Sequence, residues 1–239
     1  MDNFPVGWLQ AARQRPKAPA LCRCGASYLA AVAASEEPTG ASTSTITAPV
    51  RGEAAWPVVA PSARPVSEGW PMPEALSLAA IGQLIDDYGQ AARRAHEAGF
   101  ELLEIHGAHG YLIHQFLSPV SNGRDDAYGG DAERRRRFAL DVATSVRRHW
   151  PEHLPLAWRV SLADLDQGDL SHEELLALCA GLRERGVDLV DASSAGGIGS
   201  YPTRLQARRS DLDFRADDGA LLRREAGVSV IAVGNIVTP

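Results

Sequence analysis

From Ser77 to Gly234 a helical stretch and a short apolar run alternate four times, and this order restricts the fold more than any other feature of the sequence. Ser77 stands at a helix N-cap position. Ile81, Leu84, Ile85, Tyr88, Ala92 and Ala95 then recur at helical spacing until Gly99 supplies a stop. FELLEIH follows as a short strand, and a second helix is expected over 132–149, where Phe138, Val142 and Val146 mark one face. LPLAWRVS reads as strand, and SHEELLALCAGLRERG as a helix with Ser171 and Glu174 in capping-box register. VDLVDASS, a short helix in DDGALLRREAG and the run VSVIAVG complete the series. Apolar runs separated by whole helices pair in parallel through right-handed crossovers, which places the chain in the α/β class.

An open doubly wound sheet and a closed barrel share this grammar. Here each strand ends on polar or glycine residues: His106, Arg159 with Ser161, Ser193 with Ser194, and Gly234. A rim of this kind at the carboxyl ends is where barrels keep their active sites. The length of 239 residues suits one such domain, since a full barrel takes about 250.

Composition narrows the function. With 45% hydrophobic and 23% charged residues the chain can bury a core. A net charge of -6 argues against a nucleic-acid partner and for a small-molecule one. No apolar run is long enough to span a membrane. Cys22, Cys24 and Cys179 make no disulfide framework, as expected in a reducing cytoplasm. Cys179 lies among leucines and is expected to be buried packing.

The first 55 residues differ from the rest. They show no sustained period, are broken by Pro5, Pro16, Pro19 and Pro38, and read as an irregular segment preceding one domain over 56–239. WPVVAPSARPVSEGWPMP opens that domain as an extended, proline-rich loop. The four arginines 134–137 read as the solvated, partly ion-paired face of a helix start.

The densest chemistry lies in EIHGAHGYLIHQFLSPVSNGRDDAYGG, residues 104–130, a connection too long for an ordinary strand-to-helix turn. His106 and His109 follow a strand, where two imidazoles can donate to one carbonyl or nitro oxygen. Tyr111 adds a phenol able to deliver a proton. The HxxH spacing also suits a zinc pair, which would need a third ligand, and either imidazole could be a packed structural group.

This segment, with ERRRRF after it, resembles the flavin-dependent NADH:flavin oxidoreductase family of Old Yellow Enzyme in its bacterial, ene reductase branch. WPVVAPSA, AWRVS, VDLVDASSAGG and REAGVSVIAVGNI stand in the family's order, so the resemblance covers about 56–239. It implies a (β/α)8 TIM barrel, FMN and NAD(P)H as cofactors, and reduction of the activated C=C bond of an α,β-unsaturated carbonyl compound. By matching position, His106 and His109 would bind the substrate's carbonyl oxygen and Tyr111 would protonate its α-carbon. Arg159 would sit beside the N1 and O2 edge of the flavin, and Gly234 beside the FMN phosphate.

The resemblance also has gaps. The family's opening strand and its QLxHxGR strand have no counterpart in Met1–Val50, and RRSDLDF replaces an aromatic, glutamine-containing segment. The GR pair of the eighth strand is not reached before Pro239. The expectation is an incomplete barrel holding about strands four to seven of the family, whose open edges favour homo-oligomer formation. The alternative to an active oxidoreductase is a truncated, catalytically silent half-barrel.

Overall fold

The computed structural model describes residues 58–65, 72–162, 170–193 and 214–232; the segment 1–55 and Gly234 lie outside them. Two short strands, β1 (Val59–Ala60) and β2 (Glu74–Ala75), precede α1 (Leu78–Glu97). Then follow β3 (Leu103–His106), α2 (Leu112–Leu117), α3 (Ala132–His149), β4 (Leu156–Ser161), α4 (His172–Arg183), β5 (Leu189–Ser193), α5 (Phe214–Glu225) and β6 (Ser229–Ala232). The strands β3, β4, β5 and β6 form one parallel sheet in chain order. A doubly wound sheet reverses its order at a switch point, whereas this one advances one strand at a time, the winding of a barrel. The described sheet therefore supplies four of the eight strands of a (β/α)8 barrel.

Local signals account for the helices. Ser77 caps α1 by accepting from the Ala80 N–H, Asp131 caps α3 by accepting from the Arg134 N–H, and Ser171 and Glu174 close a reciprocal capping box on α4. Gly99 ends α1 at φ 83°, a left-handed conformation that suits glycine.

The register separates two faces of the sheet. Leu103, Ile105, Leu156, Trp158, Val160, Val190 and Ala192 join the helices in one hydrophobic core. Cys179 lies fully buried in that core, and burial pushes its thiol up to about 12. The opposite face carries Glu104 and His106 on β3, Ala157, Arg159 and Ser161 on β4, and Asp191 and Ser193 on β5. Ile231 of β6 lies beside Asp191 on that face and is 40% exposed. The face that lines the interior of a barrel is thus polar, and its polarity increases towards the carboxyl ends.

Three local expectations need correction. The connection after β3 is not all loop, because it contains α2, whose six residues are all buried and so show no amphipathic period. β1 and β2 pair in parallel within the proline-rich segment, which is otherwise extended as expected. Arg135 is not solvated. It precedes Phe138 by three residues on the inward stripe of α3, is 8% exposed, and donates from Nε to the Leu117 carbonyl at 2.9 Å and from Nη1 to the Gly130 carbonyl at 2.6 Å. Its Nη2 also pairs with Glu174 of α4.

Candidate active site at the carboxyl ends of the strands

His106 is the last residue of β3 and is 1% exposed. The Ala108 N–H donates to its Nδ1 at 3.1 Å, which leaves the ring proton on Nε2, a buried donor with no protein partner. Burial, then His109, Arg159 and His114, hold the His106 imidazole far below its ordinary range, at about 2. It is therefore a neutral ring with a fixed N–H, suited to donate to an oxygen that gains negative charge.

His109 has φ 60°, the one positive value among described residues other than glycine. Its backbone N–H donates to Ser161 Oγ at 2.9 Å, and its Nε2 lies 2.8 Å from Ser193 Oγ. The Ser161 hydroxyl at the end of β4 thus holds the His109 backbone in its sparsely populated conformation, and the Ser193 hydroxyl at the end of β5 fixes the imidazole. The His109 ring meets His106 edge to face with centroids 4.8 Å apart, and the Tyr111 ring does the same at 5.0 Å. Tyr111 is the N-cap residue of α2. That helix is anchored where the Gly110 N–H donates to His114 Nδ1 at 2.7 Å and Gln115 Nε2 donates to the Gly110 carbonyl at 2.9 Å. The structure therefore brings His106, His109 and Tyr111 into one cluster.

Arg159 pairs in register with His106 on one side and Asp191 on the other. Its Nε lies 3.6 Å from Asp191 Oδ2, an ion pair too long to be a hydrogen bond. Glu104 lies on the same face, one pleat below His106, and both acidic residues are 3% exposed. Burial pushes both upward, and the contact between them raises Glu104 and lowers Asp191. Arg159 acts in the lowering sense on each. Sequence reading passed over Glu104 and Asp191, although an acid two residues before a rim histidine signals the inner face of a strand. It counted Ser161 and Ser193 as rim residues without giving them a role.

Trp158 lies on the core face behind this site, and its Nε1 would meet a Cβ on Gly107 at 2.3 Å. Gly107 thus lets β3 approach β4 closely directly after His106. Among the described residues no group of three or more His, Cys, Asp or Glu is arranged to hold a metal ion. None of the described helices is long and apolar enough to cross a membrane.

His106 Nε2 and Arg159 Nε, both buried and without a hydrogen-bond partner, sit at neighbouring positions of one rim. A neutral N–H donor beside a guanidinium fits a planar heterocycle with acceptors along its edge, such as a flavin, together with an oxygen-bearing substrate.

The sequence profile of the NADH:flavin oxidoreductase / NADH oxidase family matches residues 39–239. An NADPH dehydrogenase of Geobacillus sp. is 39% identical over 181 residues, 76% of this chain and 51% of that protein. An NADPH dehydrogenase of Listeria innocua is 40% identical over 179 residues, 75% of this chain and 51% of that protein. Among solved structures, morphinone reductase superposes with a TM-score of 0.57 at 29% identity, covering 76% of this chain and 50% of the reductase. Histamine dehydrogenase from Rhizobium sp. 4-9 gives 0.62 at 29% identity, covering 77% and 27%. The chain spans about half the length of the curated relatives it matches. With the profile aligned along most of its length, and with barrel winding and a histidine-rich rim in place, the chain belongs to the NADH:flavin oxidoreductase / NADH oxidase family.

Proposed function

We propose that this chain carries the substrate-binding rim of an FMN-dependent NAD(P)H oxidoreductase that reduces the activated C=C bond of α,β-unsaturated carbonyl compounds. The observation that carries the reading is His106: a neutral, buried imidazole whose only uncommitted atom is a donor, beside His109 and Tyr111. His106 and His109 hold the carbonyl oxygen, and their N–H groups favour the charge it gains as the alkene is reduced. Tyr111 holds a proton within reach of the same pocket and delivers it to the α-carbon. Arg159 places a cation on the inner face, beside the N1 and O2 edge expected of the flavin. Bound FMN supplies the hydride chemistry between NAD(P)H and substrate. Gly234, proposed at the phosphate, lies outside the described residues.

The test is reconstitution of the full chain with FMN, followed by NADPH oxidation with an enone acceptor and by titration with a phenol. Enone-dependent oxidation, and loss of phenol binding when His106 and His109 are both replaced by Ala, support the reading. A chain that binds FMN yet reduces no enone refutes it. A colourless chain without affinity for FMN supports the silent half-barrel instead.

A further inference from the structure

The proposed roles leave two buried acids unused. Glu104, Arg159 and Asp191 stand on three adjacent strands, and the register turns all three side chains to the inner face. Arg159 pairs with Asp191 at 3.6 Å. Glu104 stands on that face one pleat below the Arg159–Asp191 pair and interacts with Asp191, while Glu104 Oε1 and Asp191 Oδ1 are buried without a hydrogen-bond partner. Two ionised carboxylates on one buried face, in residues each 3% exposed and with one guanidinium to share, would leave a net negative charge desolvated. One proton between them makes the trio neutral and turns their repulsion into a hydrogen bond.

We propose that Glu104 and Asp191 hold a single proton between them below the rim, and that this acid–carboxylate pair positions the Arg159 guanidinium and fixes the charge it presents to a bound ligand. Glu104 carries the proton and donates to Asp191. Asp191 keeps the negative charge and draws Arg159 from one side, so the cation neither folds back onto two carboxylates nor stands unbalanced. Among the described residues, the other groups that act on this trio are few. His106 shares the face and is neutral, its own titration held down in part by Arg159, while His109 and His114 face His106 from the loop and α2. β6 contributes Ser229 and Ile231, which do not titrate.

The first test needs no cofactor. Infrared spectra of the full chain at pH 6, where solvated carboxyl groups are ionised, should show a protonated-carboxyl C=O band that Glu104→Gln abolishes. In Asp191→Asn the midpoint at which this band disappears should fall by one pH unit or more, because Glu104 loses its acidic neighbour and becomes the sole partner of Arg159. A wild-type chain without the band at pH 6, a band that survives in Glu104→Gln, or an unchanged midpoint in Asp191→Asn overturns the proposal. Should either variant fail to fold, the wild-type band and its midpoint still decide whether a proton is held. The second arm rests on the reading of Arg159 as a flavin partner. With FMN bound, Asp191→Asn should shift the reduction potential upward and Glu104→Gln should leave it close to wild type below pH 7, whereas equal shifts in both overturn the division of roles. Failure to bind FMN counts against the cofactor reading alone, because the infrared result decides the pair independently.

Discussion

Gly107 offers a sharp perturbation of the site that touches no reacting group. In Gly107→Ala the new Cβ would lie 2.3 Å from Trp158 Nε1, 2.9 Å from its Cε2 and 3.1 Å from the Arg159 carbonyl oxygen. None of these atoms yields easily. Trp158 is fully buried in the core, and the Arg159 carbonyl accepts from the Gly107 N–H at 3.0 Å in the ladder joining β3 to β4. Relief must come from splaying the two strand ends. Overpacking of a core costs about 1–3 kcal/mol, and loss of the ladder hydrogen bond adds about 1 kcal/mol, so the substitution should destabilise by about 2–4 kcal/mol. Urea unfolding of wild type and variant at neutral pH measures this. The same splay moves Ala108, whose N–H fixes the His106 tautomer, so phenol affinity of the FMN-loaded chain should fall in parallel. A loss of stability below about 0.5 kcal/mol, the scale of an ordinary surface substitution, would refute the close approach of β3 and β4.

Other substitutions probe the remaining contacts. Glu104 is protonated more readily in the folded chain, its titration carried upward to about 7, so the folded state binds the extra proton between the ordinary glutamate range and neutrality. Stability should therefore fall as pH rises through that window, by about 3 kcal/mol in all at about 1.4 kcal/mol per pH unit; Glu104→Gln should flatten this slope in urea midpoints taken from pH 4.5 to 8. Arg135→Ala strips partners from the Leu117 and Gly130 carbonyls and from Glu174; a cost of about 3 kcal/mol is expected, with Arg135→Lys recovering only part of it. Ser193→Ala removes the hydroxyl 2.8 Å from His109 Nε2 and should weaken phenol binding several-fold while leaving FMN affinity unchanged, as read by flavin fluorescence. Tyr111→Phe should slow enone reduction but not NADPH oxidation in the absence of enone, as separated by single-turnover absorbance.

Elements with their own caps and stripes were legible in the sequence because their causes are local. Ser77, Asp131 and Ser171 cap their helices through backbone groups three residues on, and the stripes behind them repeat every turn. α2 carries no such mark. With every one of its six residues buried it has no solvent face to impose a period, and its sequence LIHQFL could equally have been strand or loop. Arg135 was misread for the opposite reason, since a run of four arginines suggests solvent. Position on the wheel decided otherwise: Arg135 shares the face of Phe138 and Val142, and three acceptors wait where its guanidinium ends.

The rim shows the same division between local and cross-strand causes. His106, His109 and Tyr111 lie within six residues of one another, so one local segment brings their chemistry together, and the resemblance rested on that segment. What fixes their geometry comes from elsewhere in the chain: Ser161 and Ser193 hold His109, and Asp191 balances Arg159. No local spacing announces those partners, because parallel strands join residues separated by entire crossover helices. An acid at Glu104, alternating with Leu103 and Ile105, already marks an inner face, since a charge on the helix side would have met the apolar core. That mark implies a buried counter-charge on the same face of a neighbouring strand, and AWRVS and VDLVDASS each provide one charged residue within the strand itself, Arg159 and Asp191, level with each other and one pleat above Glu104. Period-two reading of three strands together thus reaches the buried trio from sequence, although no strand read singly does so.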